Sequence, residues 1–233
     1  MTFTSLASSS RGNAYVVSDG ETTLLLECGL TFKELQKRLG YGVAGITACL
    51  VSHEHQDHAK AAAQLLKSGV PVYMSEGTAA AHKDAMDAAN LIKAGDVLRF
   101  GHLTVVPFRT FHNTDEPLGF LIEDRRTGER LLWAVDTANL GVTADKLTYI
   151  AVECNYEERL LNRSDRIPSV LKDRIRHSHF EVSDVIRWLH KQDLSGVLTI
   201  WLLHLSAGNS RAEAWQVRFE REFPGIEIRV CPE

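Results

Sequence analysis

The stretch Ser52-His53-Glu54-His55-Gln56-Asp57-His58 places three histidines and an aspartate within six consecutive positions. Imidazole nitrogens bind zinc, iron and other first-row metals, and a carboxylate adds charge and can hold a second ion. An apolar run over residues 46–52 predicts a β-strand that leads directly into this cluster. The stretch therefore predicts a metal site where a strand ends.

Three further ligand candidates stand at or just past the ends of predicted strands. These are His112 after the run 97–108, Asp136 after the run 130–135, and His204 after the run 198–203. A two-metal hydrolytic site needs about six or seven protein ligands that converge from rigid elements. Each of the three alone is better explained as an ordinary polar residue, and it is their repeated placement that indicates a site. The histidines that lack such a placement are interpreted as structural: His82, His102 and His190.

Composition bounds the class of protein. The chain has 233 residues, of which 44% are apolar and 24% are charged, so it can bury a sizeable core. No apolar run approaches the roughly 20 residues of a membrane helix, and the first ten residues, without a basic start or a long apolar stretch, are not expected to be a signal peptide. The four scattered cysteines predict reduced, mostly buried thiols and a cytoplasmic location. The net charge of −4 restricts any nucleic-acid contact to a local basic patch.

Periodicity and turn residues predict alternating strands and helices in two rough halves. Strands are predicted over 15–18, 22–27, 46–52, 70–74, 97–108, 118–123, 130–135, 149–153, 198–203 and 226–230. Helices are predicted over 30–39, 57–68, 77–89, 156–161, 168–176, 182–190 and 211–221. Residues 8–13 are interpreted as a plain turn between two strands rather than an anion-binding loop. The pattern favours one α/β domain over residues 1–233.

The stretch from His53 to His58 resembles the His-x-His-x-Asp-His signature of the metallo-β-lactamase fold superfamily. The order of the later ligand candidates is also similar to that family's. The resemblance implies a four-layer αββα sandwich with a dinuclear metal centre at one edge. It implies that His53, His55 and His112 hold the first metal, that Asp57, His58 and His204 hold the second, and that Asp136 bridges them. The cofactors implied are two divalent ions, with zinc expected first and manganese as the alternative.

Shorter segments resemble the YycJ-type (WalJ-type) branch, whose members are regarded as nuclease-like hydrolases with 5′ to 3′ exonuclease activity on DNA. They are Ser5–Asn13, Glu153-Cys154-Asn155-Tyr156, and His204-Leu205-Ser206 followed by Asn209. The chain departs from the pattern in three places. Glu27 stands where the superfamily usually has an aspartate that supports the site through hydrogen bonds. Asn113 follows His112 where the branch often has aspartate, and residues 61–62 are alanines where a glycine is usual.

A basic stretch from Asn162 to His179 favours a phosphate substrate. It contains five cationic side chains against two acidic ones, a local charge of +3: Arg163, Arg166, Lys172, Arg174 and Arg176 against Asp165 and Asp173. Such a patch suits a phosphodiester backbone, and arginine binds phosphate bidentately. A solvated helix face explains the same pattern equally well. His179, at the end of the stretch, is the candidate for a general acid on the leaving oxygen.

We therefore predict a metal-dependent phosphodiesterase, in the first place a nuclease acting on DNA or RNA. A hydroxide between the two metals would attack phosphorus, and Asp57 would orient it. One alternative is a small-molecule hydrolase acting on a cyclic nucleotide, a thioester or a lactone. The other is a non-catalytic metal-binding regulatory protein, which the complete ligand set disfavours. The sequence leaves the metal, the choice of DNA or RNA, and the oligomeric state open.

Overall fold

The computed structural model describes residues 1–231, with every side chain in that range except that of Met86. Its strands are β1 (Thr2–Ser9), β2 (Gly12–Ser18), β3 (Thr23–Leu26), β4 (Ala48–Leu50), β5 (Val72–Met74), β6 (Asn90–Leu91), β7 (Leu98–Phe100), β8 (Leu103–Arg109), β9 (Leu118–Asp124), β10 (Arg130–Ala134), β11 (Tyr149–Glu153), β12 (Thr199–Leu203) and β13 (Glu227–Val230). Its α-helices are α1 (Phe32–Arg38), α2 (Gln56–Ala59), α3 (Ala62–Lys67), α4 (Glu76–Ala81), α5 (Lys83–Met86), α6 (Glu158–Arg163), α7 (Ser169–Ser178), α8 (Val182–Leu189) and α9 (Ala212–Glu222).

The strands form two sheets. One has six strands in the order β1-β2-β3-β4-β5-β6, and the other has seven in the order β13-β12-β11-β10-β9-β8-β7. Successive residues of a strand point to opposite faces, so each sheet can bury both faces. Leu24 and Leu26 of β3 belong to an apolar cluster that both sheets share, together with Trp133 of β10. Leu25, between them, faces a second cluster with Leu35 of α1.

The second sheet repeats this arrangement on its outer face. Leu132 of β10 packs in a third cluster with Val185 of α8 and Phe219 of α9. The order of layers is therefore helices, sheet, sheet, helices, which is the predicted αββα sandwich. That all 233 residues form one domain stays a prediction.

Strand direction places the site at one edge. β3, β4 and β5 run parallel in the first sheet, and β10, β11 and β12 run parallel in the second. β8 and β10 are both antiparallel to β9, so they point the same way. The carboxyl ends of parallel strands meet at the same edge of a sheet, which is where open α/β sheets bind ligands.

Two predicted helices are broken, and the breaks have identifiable causes. The helix predicted over 57–68 divides into α2 and α3, because Cys28 takes backbone hydrogen bonds that a continuous helix would use. The Cys28 N–H donates to the His58 carbonyl at 2.7 Å, and the Ala61 N–H donates to the Cys28 carbonyl at 2.9 Å. The helix predicted over 77–89 divides into α4 and α5 at His82, which has φ −113° and ψ 73°.

The strand predicted over 97–108 is in fact a hairpin of β7 and β8. Gly101 at its turn has φ +54°, a conformation in which glycine avoids the cost of a Cβ. β1 was not predicted, because its Ser/Thr-rich sequence contains a register shift between Ser5 and Ala7 that disturbs the alternation. The turn predicted over 8–13 is real but is confined to residues 10–11.

Two predictions from composition can also be compared with the structure. The four cysteines are all buried and free, as the prediction of reduced thiols requires. Within residues 1–231, no helix has both the length and the apolar character needed to cross a membrane.

Candidate metal centre

The cluster at 53–58 lies where the first sheet meets its helices. β4 ends at Leu50, and the chain then passes the sheet edge before α2 begins at Gln56. His53 and His55 therefore project from the connecting segment, and Asp57 and His58 from the first turn of α2. The side chains of His53 and His58 are inaccessible to solvent, whereas that of Asp57 remains 24% exposed.

Three residues of the site that follow strands have a left-handed backbone conformation. Asp136 after β10 has φ 47°, His204 after β12 has φ 52°, and Glu27 after β3 has φ 65°. Non-glycine residues seldom adopt positive φ, and such strain collects at functional sites. One of the three follows a strand of the first sheet and two follow strands of the second. Both sheets therefore use a left-handed residue at the site.

The first group of candidate ligands is formed by three histidines. His55 Nδ1 lies 3.1 Å from His53 Nε2 and 3.2 Å from His112 Nε2. Asp136 Oδ2 lies 3.8 Å from His53 Nε2 and 3.5 Å from His112 Nε2. The ligand atoms of these four residues all lie within 4.8 Å of one another.

The second group lies on the other side of Asp136. Asp57 Oδ2 is 3.4 Å from His58 Nε2 and 3.8 Å from His204 Nε2. The ligand atoms of these three residues also lie within 4.8 Å of one another. Asp136 Oδ2 lies 3.5 Å from His58 Nε2, and Asp136 Oδ1 lies 2.9 Å from His204 Nδ1. The structure thus brings all seven predicted ligands together, with Asp136 between the two groups.

The donor set fits divalent cations better than it fits hydrogen bonding alone. Zinc binds imidazole nitrogens at about 2.0–2.1 Å, so two nitrogens on one tetrahedral ion lie about 3.3 Å apart, close to the separations around His55 Nδ1. Neutral imidazoles offer one proton each, which cannot satisfy three nitrogens that converge so closely. His204 Nε2 is buried and, within residues 1–231, has no hydrogen-bond partner. The residues present therefore suit divalent metal binding.

Neighbouring groups fix the orientation of the histidines. His112 Nδ1 donates to the Ser178 carbonyl at 2.7 Å, which leaves Nε2 with its lone pair toward the centre. Ser52 Oγ lies 2.8 Å from His53 Nδ1. Glu27 accepts a hydrogen bond from the Ser52 N–H at 3.0 Å, and its other oxygen lies 3.4 Å from His58 Nδ1. The extra methylene of Glu27 thus still permits a supporting position beside the centre.

Glu153 contacts His204 and one further histidine, His179. This fully buried carboxylate, at the end of β11, accepts from His179 Nδ1 at 2.7 Å and lies 3.1 Å from His204 Nδ1. Its second oxygen accepts from the Thr137 N–H at 2.7 Å. Glu153 was known from the sequence only as part of a family motif, although it ends a strand as the ligand candidates do. Because the sequence analysis used it only as a motif residue, Glu153 was missed as a residue of the site.

Electrostatics separates the two groups of histidines. Burial lowers the pKa of His53, His55 and His112, which keeps these rings neutral and able to donate lone pairs. Burial alone would also lower the pKa of His58 and His204, but the charge of Asp136 outweighs it and raises the pKa of both well above the ordinary value. Burial would raise the pKa of the Asp136 carboxyl, but the charges of His204 and His58 outweigh burial and hold this pKa well below its ordinary value.

A cavity of about 480 Å³ opens over the candidate ligands. Asp57, His179 and Arg174 of α7 line it. The rest of the basic stretch is arranged differently from the prediction. Arg176 is bound to Glu158, Asp173 and Asn162, and Lys172 donates to the Asn162 carbonyl. Of the five cations in that stretch, only Arg174 lines this cavity.

Three further histidines and Asn113 lie outside the centre. His102 lies 3.7 Å from Glu21, and His190 lies 2.6 Å from Glu222, so each has a carboxylate partner away from the site. His177 contacts the Asp173 carbonyl of its own helix. Asn113 is exposed in the segment after β8 and belongs to none of the candidate ligand groups.

A four-layer αββα sandwich with histidines and aspartates converging at the ends of its strands defines the class of metallo-β-lactamase fold proteins. A family model described as a beta-lactamase superfamily domain matches residues 22–200. The chain therefore belongs to the beta-lactamase superfamily that this model describes.

Sequence relatives and a solved structure agree with this assignment. The chain is 29% identical over 229 residues to the exodeoxyribonuclease YycJ of Bacillus anthracis, covering 91% of this chain and 84% of the relative. It is 25% identical to the exodeoxyribonuclease WalJ of Streptococcus pneumoniae, covering 97% and 89%. The crystal structure of the metallo-β-lactamase fold protein YhfI from Bacillus subtilis superposes with a TM-score of 0.72 at 17% identity, covering 99% and 96%, which supports the fold.

Proposed function

We propose that this chain is a divalent-metal-dependent phosphodiesterase that cleaves nucleic acid, with DNA as the first substrate to test. The observation that carries the proposal is the convergence of two groups of ligands on Asp136 at the floor of an open cavity. The names of the two sequence relatives, both exodeoxyribonucleases, support DNA as the substrate. We also propose a cytoplasmic location, in keeping with four free thiols.

The proposed ligands of the first ion are His53, His55 and His112, and those of the second are Asp57, His58 and His204. Asp136, which approaches members of both groups, would be shared. Zinc is our first choice for both ions, because imidazole-rich sites suit it, and manganese is the second. Bound there, such ions supply Lewis acidity and lower the pKa of water, which is what phosphodiester hydrolysis at neutral pH requires.

Two side chains have positions suited to handling protons and water. Asp57 is partly exposed at the cavity, so its free carboxylate oxygen can accept a hydrogen bond from the attacking water and orient it. His179 also lines the cavity, and Glu153 accepts its Nδ1 proton. This contact leaves Nε2 as the nitrogen that can deliver a proton to the leaving oxygen.

Arg174 supplies the cationic contact that a phosphodiester needs. Its side chain lines the cavity, and within residues 1–231 its guanidinium has no hydrogen bond or ion pair. A free guanidinium beside the site can therefore bind a phosphate bidentately.

The test is a panel of single- and double-stranded DNA, RNA, cyclic nucleotides and bis-p-nitrophenyl phosphate, assayed with zinc and with manganese. We expect metal-dependent cleavage of DNA that chelation abolishes and added metal restores. The double variant D57A/H58A should lose this activity and bind less metal, because both residues belong to one ligand group.

Two outcomes would favour other functions. Cleavage of cyclic nucleotides, thioesters or lactones without cleavage of DNA or RNA would indicate a small-molecule hydrolase. A protein that holds well under one metal ion, even after incubation with zinc or manganese, would fit the regulatory alternative. Retained metal-dependent cleavage in D57A/H58A would contradict the ligand assignment itself.

A further inference from the structure

A second cavity of about 420 Å³ lies beside the metal-site cavity, between the helix pairs α2–α3 and α4–α5. Small side chains form part of its lining, including Ala59, Ala63 and Ala81. The functional groups that face it are Gln56, Lys60, Gln64, His82, Lys83 and Asp84. We call this cavity the lysine pocket.

The lysine pocket and the metal-site cavity meet at one side chain. Gln56, the first residue of α2, is exposed and lines both cavities. It directly precedes Asp57, a proposed metal ligand. A ligand that occupies the metal-site cavity and continues past Gln56 therefore enters the lysine pocket.

The charges of the lysine pocket suit an anionic ligand. Lys60 and Lys83 are exposed, and within the described part of the chain neither ammonium has a hydrogen bond or an ion pair. Arg126, which does not line this pocket, shows the contrast, because it lies within ion-pair distance of Asp19 and Glu21. Asp84 is the acidic residue of the lining, so the two lysines leave the pocket with a net charge of +1 in a chain of net charge −4.

The lysine pocket is also fixed to the ligand segment. His82 Nε2 lies 2.7 Å from the Glu54 carbonyl, and Glu54 stands between His53 and His55. This contact joins the break between α4 and α5 to the loop that carries His53 and His55. The distance between the pocket and the metal centre is therefore set by the fold.

We propose that the lysine pocket binds the sugar–phosphate backbone of a polynucleotide strand that extends past the phosphodiester at the metal centre. This inference rests on the proposed function and specifies a polymeric substrate. A cyclic nucleotide or another small phosphodiester would occupy the metal-site cavity alone. Lys60 and Lys83 contact phosphates of the strand, and Gln56 lies where the strand passes from one cavity to the other.

The test measures binding separately from cleavage. The probe is a fluorescent phosphorothioate oligonucleotide of about 12 nucleotides, within the usual span of single-strand sites. It keeps its backbone charge and resists hydrolysis, so metal-loaded protein can be used. The variant K60A/K83A is compared with K67A/K191A, which removes the same charge from two exposed lysines outside both cavities.

Salt dependence supplies the quantitative readout. Each single-strand phosphate contact contributes about 0.7 to the slope of log K against log salt, so K60A/K83A should reduce the slope by about 1.4. K67A/K191A should leave the slope unchanged. Both variants should hydrolyse bis-p-nitrophenyl phosphate as the unmodified protein does, because neither alters the metal-site cavity.

The outcomes separate this inference from the proposed function. A slope that K60A/K83A leaves unchanged, or an unmodified protein that fails to bind the oligonucleotide, overturns the lysine pocket as a strand site. Normal binding with the expected loss of slope, but no hydrolysis of any phosphodiester, supports the pocket and contradicts the proposed activity.

Discussion

Gly29 occupies a position where the backbones of two site segments touch. A Cβ built on Gly29 would lie 1.6 Å from the Asp57 carbonyl oxygen and 2.1 Å from its carbonyl carbon. The neighbouring Cys28 exchanges hydrogen bonds with His58 and Ala61. The segment that carries Glu27 is thereby held against the first turn of α2, and glycine is required because no side chain fits between them.

The variant Gly29→Ala should lose both stability and metal. The added methyl group must displace backbone rather than a flexible side chain. We therefore expect the free energy of unfolding to fall by about 1–3 kcal/mol or more. Displacement of Asp57 and His58 should also lower the metal content. Urea denaturation and elemental analysis measure the two effects.

Gly45→Ala is the matched control, because a Cβ there meets nothing within 4 Å. It should leave both stability and metal content unchanged. Equal behaviour of the two variants would show that the contact between Gly29 and Asp57 is not needed to hold the ligand segment.

The sequence led to the proposed ligands because each follows a predicted strand, and the structure brings these side chains close together. The seven proposed ligands share that placement, so a strand pattern and a ligand-type residue sufficed to select them. Glu153 occupies the same kind of position, but its role depends on which histidines face it across the fold. Gly29 could not be selected either, because its constraint is a close approach to residues 28 positions away in the chain.

At the scale of elements, α7 forms close to its predicted bounds, but its charged side chains are distributed differently from the prediction. The sequence gives the stretch a uniform basic character, but the structure assigns its cations different environments. Arg174 lines the metal-site cavity, whereas Arg176 donates to Glu158 and Asp173. Residue composition does not reveal which face of a helix its neighbours cover, so this division had to come from the fold.

Replacing these two arginines should have different effects. Arg174→Ala should raise KM for an oligonucleotide about 10-fold or more, because a charged hydrogen bond contributes about 1.5–3 kcal/mol. Arg176→Ala should leave KM unchanged and cost at most about 1 kcal/mol in the free energy of unfolding, as expected for a partly exposed ion pair. Steady-state kinetics and urea denaturation distinguish the two. A larger increase in KM for Arg176→Ala would contradict this division of roles.

At the scale of the molecule, the candidate metal centre lies across the boundary between the two sheets. The first sheet and its helices provide His53, His55, Asp57 and His58, and the second sheet provides the remaining proposed ligands. A direct link already exists, because the His204 N–H donates to Ser8 Oγ of β1 at 2.8 Å. Alternating elements predicted an α/β domain, and the family resemblance implied the αββα order. The link between His204 and Ser8 joins residues 196 positions apart and needs both sheets in place.

Metal removal should therefore destabilise the whole fold rather than one loop. Ligands that bind only the native state stabilise it by RT ln(1 + [L]/Kd), which is about 4 kcal/mol at 1,000 times Kd. For a chain of this size that corresponds to a fall in Tm of roughly 10 °C on chelation. Calorimetry with and without a chelator measures the shift, and added zinc should reverse it. D57A/H58A, altered in helix α2 beside the first sheet, and His204→Ala, altered directly after β12 of the second sheet, should each lose a large part of the chelator-dependent shift. A shift that only one of them reduces would show that the ions do not join the two sheets.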